Sequence, residues 1–332
     1  MKRREFIKIT AITVTGTALP LHGFEAIAEQ EGELKPDSMI TSNDDFYVLQ
    51  YREPVTIKAE QWRLAITGLV EKPGSILSYD DIKRMESVTT MRTLKCIGDP
   101  IGTEQMSNAM WTGVPLRDVL KKAGVKAEAK MVVFRCQDGY HTAIPLDDAM
   151  RKETLLAYKM NGEPLPRDHG FPVRLLNPGH YGTKNPKWIV NIDLAEQHVG
   201  YWEKQGWDPI AHVKLAAMIG TPAEGLKIKG GTPYIISGAA FDGGNHDGIE
   251  VVEVSFDSGE TWKEAEIWAS DSPLAWTLWK YTWQAPKQAG RVEICARAIS
   301  KDGLIQSEAG FDVDPAGAVG YHIVVGEIVV DK

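Results

Sequence analysis

One cysteine stands where a short apolar run meets a long loop, a position from which a side chain can do chemistry. Residues 91–96 end in Cys96, and residues 97–110 that follow contain glycine, proline and asparagine. Free cysteines are among the most buried residues, so an inert packing role is one interpretation. Lys95 and Arg92 would instead favour the thiolate, which is the form that binds soft metal ions. The spacing alone leaves both interpretations open.

A second segment gathers basic side chains within a short span. Residues 165–174 contain His169 and Arg174, and residues 182–188 contain Lys187. Arginine, lysine and histidine are typical donors to phosphate and pyrophosphate groups. The same residue types also form ordinary solvated surfaces. On residue type alone, this segment is a candidate anion site.

The other two cysteines indicate packing rather than a second reactive centre. Cys136 and Cys295 each lie in an alternating strand pattern, and the chain has no CxxC or CxxCH motif. Three widely separated cysteines do not support a disulfide framework, a zinc ribbon or a covalently attached c-type haem. We therefore expect no haem in this chain.

The charge of the chain argues against one broad class of partner. The 332 residues carry a formal charge of −8, and the first 28 contribute +2, so the remainder carries −10. Contacts to nucleic-acid phosphates need clustered cations. We expect no nucleic-acid partner for such an acidic body.

The first 28 residues have the pattern of a removable export signal. A basic start, an apolar stretch over residues 9–21 and a small-residue end predict a signal peptide cleaved after Ala28. Arg3 and Arg4 resemble the twin-arginine motif, which addresses a pathway that exports folded proteins, here to the periplasm. The alternatives are a chance arginine pair in a general secretory signal and an uncleaved anchor. The stretch is short and partly polar, so we expect no membrane span in the mature chain.

Residues 29–209 predict an α+β domain that positions the candidate residues. Short runs rich in β-branched residues predict strands at residues 62–70, 131–136, 171–176 and 188–194. Two connections, residues 97–110 and 177–186, exceed the usual loop length, which favours a functional role. Cys96 precedes the first of these loops, and Lys187 follows the second.

Helices are predicted where capping residues flank a helical stretch. Ser78, with Asp81 three residues later, begins a capping box. Pro115 and Gly124 bracket a second helix, with proline at its start and glycine beyond its end. The helical signal disappears after Trp207.

Residues 210–332 predict an all-β domain of the immunoglobulin-like sandwich type. Apolar and polar residues alternate at 252–256 and again at 292–298, and a glycine-containing turn follows each run. Short, evenly spaced strands over roughly 110 residues are typical of such sandwiches. The domain boundary is predicted near Pro209, with the first strand of the second domain starting at about Ala211.

One long stretch resembles the signature of the sulfite oxidase family of molybdenum enzymes. The residues that carry the resemblance are 156–174, with further matches at 41–48, 94–98, 259–262 and 296–298. Together they cover nearly the whole mature chain. The resemblance implies an α+β domain holding one molybdopterin with molybdenum, followed by an immunoglobulin-like domain that forms a homodimer.

The resemblance also implies roles for individual residues. Cys96 would be the thiolate ligand to molybdenum, which suits a soft sulfur donor. The positions that hold the pterin and its phosphate are His169, Arg174, Asn185 and Lys187, with Tyr47 and Asp138 as looser matches. Such chemistry transfers an oxygen atom and exchanges two electrons. A chain without haem would pass these electrons singly to or from an external carrier such as a c-type cytochrome.

Three features depart from the family pattern and bear on the substrate. Leu49 stands where the family has an arginine facing the anion, Trp207 stands where it has a tyrosine, and Asp99 with Pro100 replaces an Asn-Arg pair. We assign Leu49 and Trp207, together with Cys96, to the catalytic pocket. Five basic residues offer replacement charge, and the sequence does not choose among them: Arg92, Lys95, His141, His180 and Lys184.

The resulting expectation is an oxidoreductase that converts sulfite, or a related sulfur oxoanion, to sulfate. Losing the pocket arginine removes a charge-assisted pair worth about 1.5 to 3 kcal/mol, so reduction of a sulfoxide or other oxo acceptor is the main alternative. A different class of function is a secreted binding module without a cofactor. The intact Cys96, His169, Arg174 and Lys187 argue against that module.

Overall fold

The computed structural model describes residues 39–102, 105–308 and 312–330. The predicted export signal, residues 1–28, lies outside the described residues and stays a prediction. Within the described ranges, no helix combines the length and the apolar character needed to cross a membrane.

The described chain up to residue 205 contains ten strands and three short α-helices. The strands are β1 Arg63–Gly68, β2 Ser75–Ser78, β3 Val88–Lys95, β4 Met106–Pro115, β5 Met131–Cys136, β6 His141–Pro145, β7 Leu155–Met160, β8 Glu163–Pro164, β9 Arg174–Leu176 and β10 Ile189–Ala195. The helices are α1 Tyr79–Lys83, α2 Leu116–Ala123 and α3 Leu146–Ala149. Single turns of 3-10 helix occur at Arg167–His169, Gly182–Lys184 and Glu203–Gln205.

These strands form two sheets that share one core. The first sheet has the order β2-β1-β10-β5-β6, in which only β1 and β10 are parallel. The second has the order β3-β4-β7-β8, with β9 paired to β7. The core takes Leu64 from β1, Ile82 from α1, Leu120 from α2 and Leu156 from β7, all fully buried. Burial of these apolar side chains holds the two sheets and the helices together.

The two predicted helices, α1 and α2, begin where the capping residues predict, and α2 also ends there, whereas α1 ends at Lys83 and not at Met85 as predicted. The Ser78 hydroxyl accepts from the Asp81 amide at 3.2 Å, and the Asp81 carboxylate accepts from the Ser78 amide at 2.9 Å. Pro115 directly precedes α2, and Gly124 follows it with a φ of 76°. These contacts satisfy amide groups that a helix start leaves without partners.

The second half contains strands only, apart from turns and loops, within the described residues. They are β11 Ala216–Thr221, β12 Lys227–Lys229, β13 Pro233–Phe241, β14 Ile249–Ser255, β15 Lys263–Glu264, β16 Glu266–Ala269, β17 Thr277–Gln284, β18 Gly290–Ser300 and β19 His322–Val329. One sheet has the order β11-β13-β17-β16 and the other β12-β19-β18-β14-β15. Both contribute to one core that includes Ile236, Val252, Trp279 and Ile294. The all-β expectation therefore holds for the described residues, and the immunoglobulin-like assignment stays a prediction.

Four expectations about elements need correction. The strand predicted at residues 171–176 is shorter, since β9 begins only at Arg174. The first domain contains more strand and less helix than expected. Its three helices span only five, eight and four residues. The loop after Cys96 is shorter than residues 97–110, because β4 already begins at Met106, which pairs with Lys95 of β3. The first strand of the second domain begins at Ala216 rather than near Ala211, since Ala211 has a φ of 58°, which is not extended.

Strand β3 is held on its outer side by the second domain. The Thr93 amide donates to the Leu274 carbonyl at 2.9 Å, and the Thr93 hydroxyl accepts from the Trp276 amide at 2.8 Å. The Ser272 hydroxyl donates to the Met91 carbonyl at 2.8 Å. The strand that leads into Cys96 is therefore fixed between β4 and a loop of the second domain.

Candidate functional site

A cleft opens where β3 ends, between residues 46–51 and the connection from β9 to β10. Its empty volume, including the part open to solvent, is about 800 Å³. Eight of the nine predicted site residues line it: Tyr47, Leu49, Cys96, Asp138, His169, Arg174, Asn185 and Lys187. The structure thus brings together segments that are far apart in the sequence, while the role of each residue stays a prediction.

Cys96 directly follows β3 and places a free thiol in the cleft wall. The residue is 6% exposed, and its amide donates to the Gln105 carbonyl at 3.0 Å. Burial raises the pKa of this thiol to about 11, and Asp99 adds to the rise while Lys95 opposes it. Lys95 thus favours the thiolate as expected, whereas Arg92 is not among the groups that act on Cys96, and burial outweighs the effect of Lys95. A bound cation is what would stabilise a thiolate here.

Arg174 is a buried cation that forms no ion pair among the described residues. It is 5% exposed, and it donates to the carbonyls of His169 at 3.2 Å and Asn185 at 3.3 Å, while Nε has no partner. Its guanidinium lies 5.1 Å from the centre of the Trp111 ring. Burial lowers its pKa to about 10, so it stays charged at neutral pH. A buried charge without a counter-charge is costly, which suits this wall to an anionic group.

Gly170, which follows His169 in the chain, lies close to both Lys187 and Arg174. Gly170 has a φ of 110°, and a Cβ there would lie 3.0 Å from Cβ of Lys187 and 3.1 Å from Cβ of Arg174. Burial lowers the pKa of His169 to about 4, so its ring is neutral at neutral pH. Its Nε2 lies 2.9 Å from the Asn43 carbonyl, and because a carbonyl can only accept, Nε2 carries the hydrogen and donates it. Burial and the charge of Arg174 lower the pKa of Lys187 to about 7. Gly170 therefore allows two cationic side chains to approach one anion.

Tyr47 and Asp138, the looser matches, also face the cleft. The Tyr47 hydroxyl lies beside Gly182, where an added Cβ would be 3.3 Å away. Burial raises the pKa of both Tyr47 and Asp138 above their usual values. The Asp138 carboxylate accepts from the Tyr140 amide at 3.0 Å. Both side chains are therefore placed to accept or donate a hydrogen bond at this wall.

Asn185 uses its side chain to hold the loop that carries the basic residues. Its Oδ1 accepts from the Asn177 amide at 2.6 Å, and its Nδ2 donates to the carbonyls of His180 at 3.2 Å and Tyr181 at 2.9 Å. Its own carbonyl accepts from Arg174. Asn185 thus positions Arg174, and its predicted contact with a cofactor stays a prediction.

Two of the three departures from the family pattern, Leu49 and Trp207, occupy different places. Leu49 is 44% exposed and lines the cleft. Trp207 is not among the lining residues but packs near the loop after Cys96. An added Cβ at Gly98 would lie 3.7 Å from the Trp207 ring and 4.0 Å from the Cys96 sulfur. Trp207 therefore packs against this loop on the same side as the Cys96 sulfur.

Sequence reasoning missed an aromatic group at the cleft. Tyr51, Tyr140 and Trp202 line it, and Arg52 lies over the Tyr51 ring at 4.8 Å, with Nη2 donating to the Tyr51 hydroxyl at 3.1 Å. One signal was available, because Tyr51 follows Leu49 by two residues and side chains two apart share a side of an extended chain. Nothing in the sequence linked Tyr140 or Trp202 to this place.

The five basic residues that the sequence left open as replacement charge do not line the cleft. Lys95 pairs with Asp99, Lys184 pairs with Glu203, His141 contacts His198, and Arg92 and His180 line a separate cavity. Among the described residues, two cations lie over aromatic rings of the cleft wall, Arg52 over Tyr51 and Lys187 over Trp188 at 4.5 Å, and of the two Arg52 is exposed.

Comparison with known proteins identifies two consecutive domains in this chain. The oxidoreductase molybdopterin binding domain matches residues 51–202, and the Mo-co oxidoreductase dimerisation domain matches residues 208–313. The uncharacterized oxidoreductase YuiH of Bacillus subtilis is 36% identical over 186 residues, which cover 54% of this chain and 88% of that protein. The mitochondrial sulfite oxidase of Rattus norvegicus is 30% identical over 327 residues, covering 85% of this chain and 60% of that protein.

The match to the molybdopterin binding domain identifies the protein as a molybdopterin-dependent oxidoreductase. The chain belongs to the sulfite oxidase family, and its cofactor is molybdenum bound to molybdopterin. The crystal structure of the sulfane dehydrogenase SoxCD from Paracoccus pantotrophus has the same fold, with a TM-score of 0.77 over 97% of this chain and 95% of that chain at 23% identity. This chain spans about 60% of the length of the mitochondrial sulfite oxidases that it matches.

Proposed function

We propose that this protein oxidises sulfite, or a related sulfur oxoanion, to sulfate and passes the electrons singly to an external c-type cytochrome. Sulfite and water give sulfate, two protons and two electrons. The molybdenum cofactor, when bound, supplies the oxygen-atom transfer and the two-electron exchange. The observation that carries the proposal is that Cys96 and the uncompensated Arg174 line one cleft. Relatives named sulfite oxidases support the choice of substrate.

The residues of the cleft fit the cofactor. Arg174 and Lys187 hold its phosphate, because the unpaired Nε of Arg174 gains a charge-assisted hydrogen bond from an anion. Cys96 supplies the thiolate ligand to the metal, as the one cysteine among the described residues that lines the cleft. His169 donates its Nε2 hydrogen to Asn43, so its Nδ1 is left to accept a hydrogen bond from the pterin.

Arg52 supplies the charge that recognises the substrate anion. Arg52 is not itself a lining residue, but it is exposed and lies over the ring of Tyr51, which lines the cleft, so we place its charge near the entrance. Leu49 carries no charge at the position where the family has its arginine. A cation three residues further along the same segment compensates for that loss.

Reduction of a sulfoxide is a second candidate, and the cleft wall favours it. Leu49, Tyr51, Tyr140 and Trp202 together form an apolar and aromatic surface on the cleft. A neutral substrate with an alkyl group would bury that group against these side chains. A small dianion gains little from such a surface.

Steady-state assays of molybdenum-loaded protein distinguish the two candidates. One assay uses sulfite with oxidised cytochrome c, and the other uses a sulfoxide with a reduced dye. Saturable turnover with sulfite is expected, with a raised KM in Arg52→Gln and an unchanged KM in Arg291→Gln, an exposed arginine of β18. Turnover with the sulfoxide alone would support the second candidate, and turnover with neither would contradict both.

A cofactor-free binding module is the remaining alternative. The family assignment and the uncompensated Arg174 argue against it. Metal analysis separates the two classes, since the enzyme carries one molybdenum per chain and a module carries none in a folded protein.

Export and assembly complete the proposal. The protein reaches the periplasm folded, through the twin-arginine signal in residues 1–28, and forms a homodimer through its second domain, which matches a dimerisation domain. Replacing Arg3 and Arg4 together by lysine is expected to keep the protein in the cytoplasm. Unchanged export would indicate the general secretory route. Sedimentation of the mature protein tests the dimer.

A further inference from the structure

Arg92 is a second buried arginine that forms no ion pair among the described residues. It is 5% exposed, and its Nε and Nη1 have no hydrogen-bond partner. It belongs to β3, where its carbonyl accepts from the Trp111 indole at 3.2 Å. Unlike Arg174, it does not line the cleft. Its side chain borders a small separate cavity at the junction of the two domains.

A second unsatisfied side chain, that of Asn177, lines the same cavity. Asn177 is 2% exposed, and neither its Nδ2 nor its Oδ1 has a partner in the described chain. The remaining wall is largely apolar and includes Val213, Phe241 and Leu274 from the second domain. Buried polar groups are rarely left unsatisfied in native proteins, so two such side chains on one cavity indicate a bound species.

The charge of the cavity indicates what that species is. No aspartate or glutamate is among its lining residues. Its other titratable residue, His180, donates from Nδ1 to the Pro178 carbonyl at 2.8 Å, and burial lowers its pKa. Arg92 also borders a larger cavity that includes Glu153, whose charge acts on Arg92, but the two form no ion pair within 4 Å and Glu153 lies 3.7 Å from Lys152. A water molecule would satisfy hydrogen bonds here but would leave the buried guanidinium without an ion-pair partner.

The size of the cavity limits the ligand to a small one. The volume within which the centre of a water molecule can move is about 20 Å³. That space holds about one water-sized species, which leaves little room for sulfate or phosphate. We infer that the cavity binds one monovalent anion of chloride size, held by Arg92 and the side-chain amide of Asn177, and that this anion stabilises the domain junction. The inference is independent of the substrate proposed above.

Crystals of the cofactor-loaded protein grown in bromide give the direct test, because bromide replaces chloride and scatters anomalously. An anomalous peak within hydrogen-bonding distance of Arg92 and Asn177 is expected. A cavity that contains only water would overturn the inference. Asn177→Val removes the amide donor while keeping the arginine, and it is expected to lower the bromide occupancy at this peak.

Thermal unfolding in solution gives an independent test. At constant ionic strength, replacing gluconate by chloride is expected to raise Tm of the wild-type protein by a few degrees, since a ligand that binds only the folded state stabilises it. Arg92→Gln should abolish this dependence, and Arg291→Gln, at an exposed arginine, should retain it. Equal chloride dependence in Arg92→Gln and the wild type would assign the effect to another site and contradict the inference.

Discussion

The ammonium group of Lys95 lies 2.7 Å from the carboxylate of Asp99, and both side chains are almost fully buried. The pair spans the start of the loop that contains Cys96. The other oxygen of Asp99 accepts from the Gln105 amide at 3.3 Å, and the Gln105 carbonyl accepts from the Cys96 amide. One carboxylate thus ties the two ends of the loop together and fixes the position of Cys96.

Removing that carboxylate should destabilise the protein strongly. Asp99→Asn leaves the Lys95 ammonium buried without a counter-charge, and we expect a loss of about 3 to 5 kcal/mol in the free energy of unfolding. Denaturant titration measures this loss. Asp80→Asn removes the exposed partner of Lys83, which lies 2.8 Å away, and should have little effect. Equal stability of the two variants would show that the buried pair does not hold the loop.

Arg174→Ala should reduce the amount of cofactor bound rather than the rate of each loaded molecule. The guanidinium contributes ground-state binding of the phosphate and has no contact with the reacting atoms in this account. Molybdenum content and turnover per molybdenum are the two measurements. Arg167→Ala is the matched control, because Arg167 is exposed and paired with Asp168 at 2.7 Å. Full loading with slow turnover would contradict the assignment.

Anion binding to the cleft should weaken as pH rises through about 7. The pKa of Lys187 is lowered to about 7, so its ammonium is charged below that pH and neutral above it. His169, with a pKa of about 4, is neutral throughout this range, and Arg174 stays charged. Losing one charge-assisted contact of about 1.5 to 3 kcal/mol lowers affinity roughly ten- to a hundredfold.

Sulfate is a suitable probe for this titration because its own charge is constant over the range. Its affinity for protein produced without the cofactor is measured on both sides of the Lys187 pKa. In Lys187→Gln the affinity should be low and independent of pH. A wild-type affinity that does not change with pH would remove Lys187 from the anion site.

Adding a cation at position 49 should improve sulfite binding. Leu49→Arg places a guanidinium at an exposed position of the cleft wall, so KM for sulfite should fall and should depend more strongly on salt. KM is compared at low and high ionic strength. Val48→Arg is the control, since Val48 is 45% exposed but does not line the cleft. If both variants keep the wild-type KM and salt slope, position 49 does not face the substrate.

The sequence predicted those features that depend on local pattern or on the family motif. The run at residues 131–136 forms β5 as predicted, and the Ser78 capping box starts α1. The sequence did not predict that Asp99 would pair with Lys95, because their contact depends on how the loop turns after β3. Nor did it place Arg92 at the domain junction, since that position is set by packing against a loop of the second domain.

The central claim is that Cys96 is the protein's sulfur ligand to molybdenum in the cleft. Cys96→Ser replaces a soft sulfur by a hard hydroxyl, while Cys295→Ser makes the same exchange at a buried cysteine of β18. Pterin content, molybdenum content and turnover are measured for both variants and the wild type. We expect Cys96→Ser to keep the pterin and lose turnover, whereas Cys295→Ser should keep both. Full activity in Cys96→Ser would contradict the central claim.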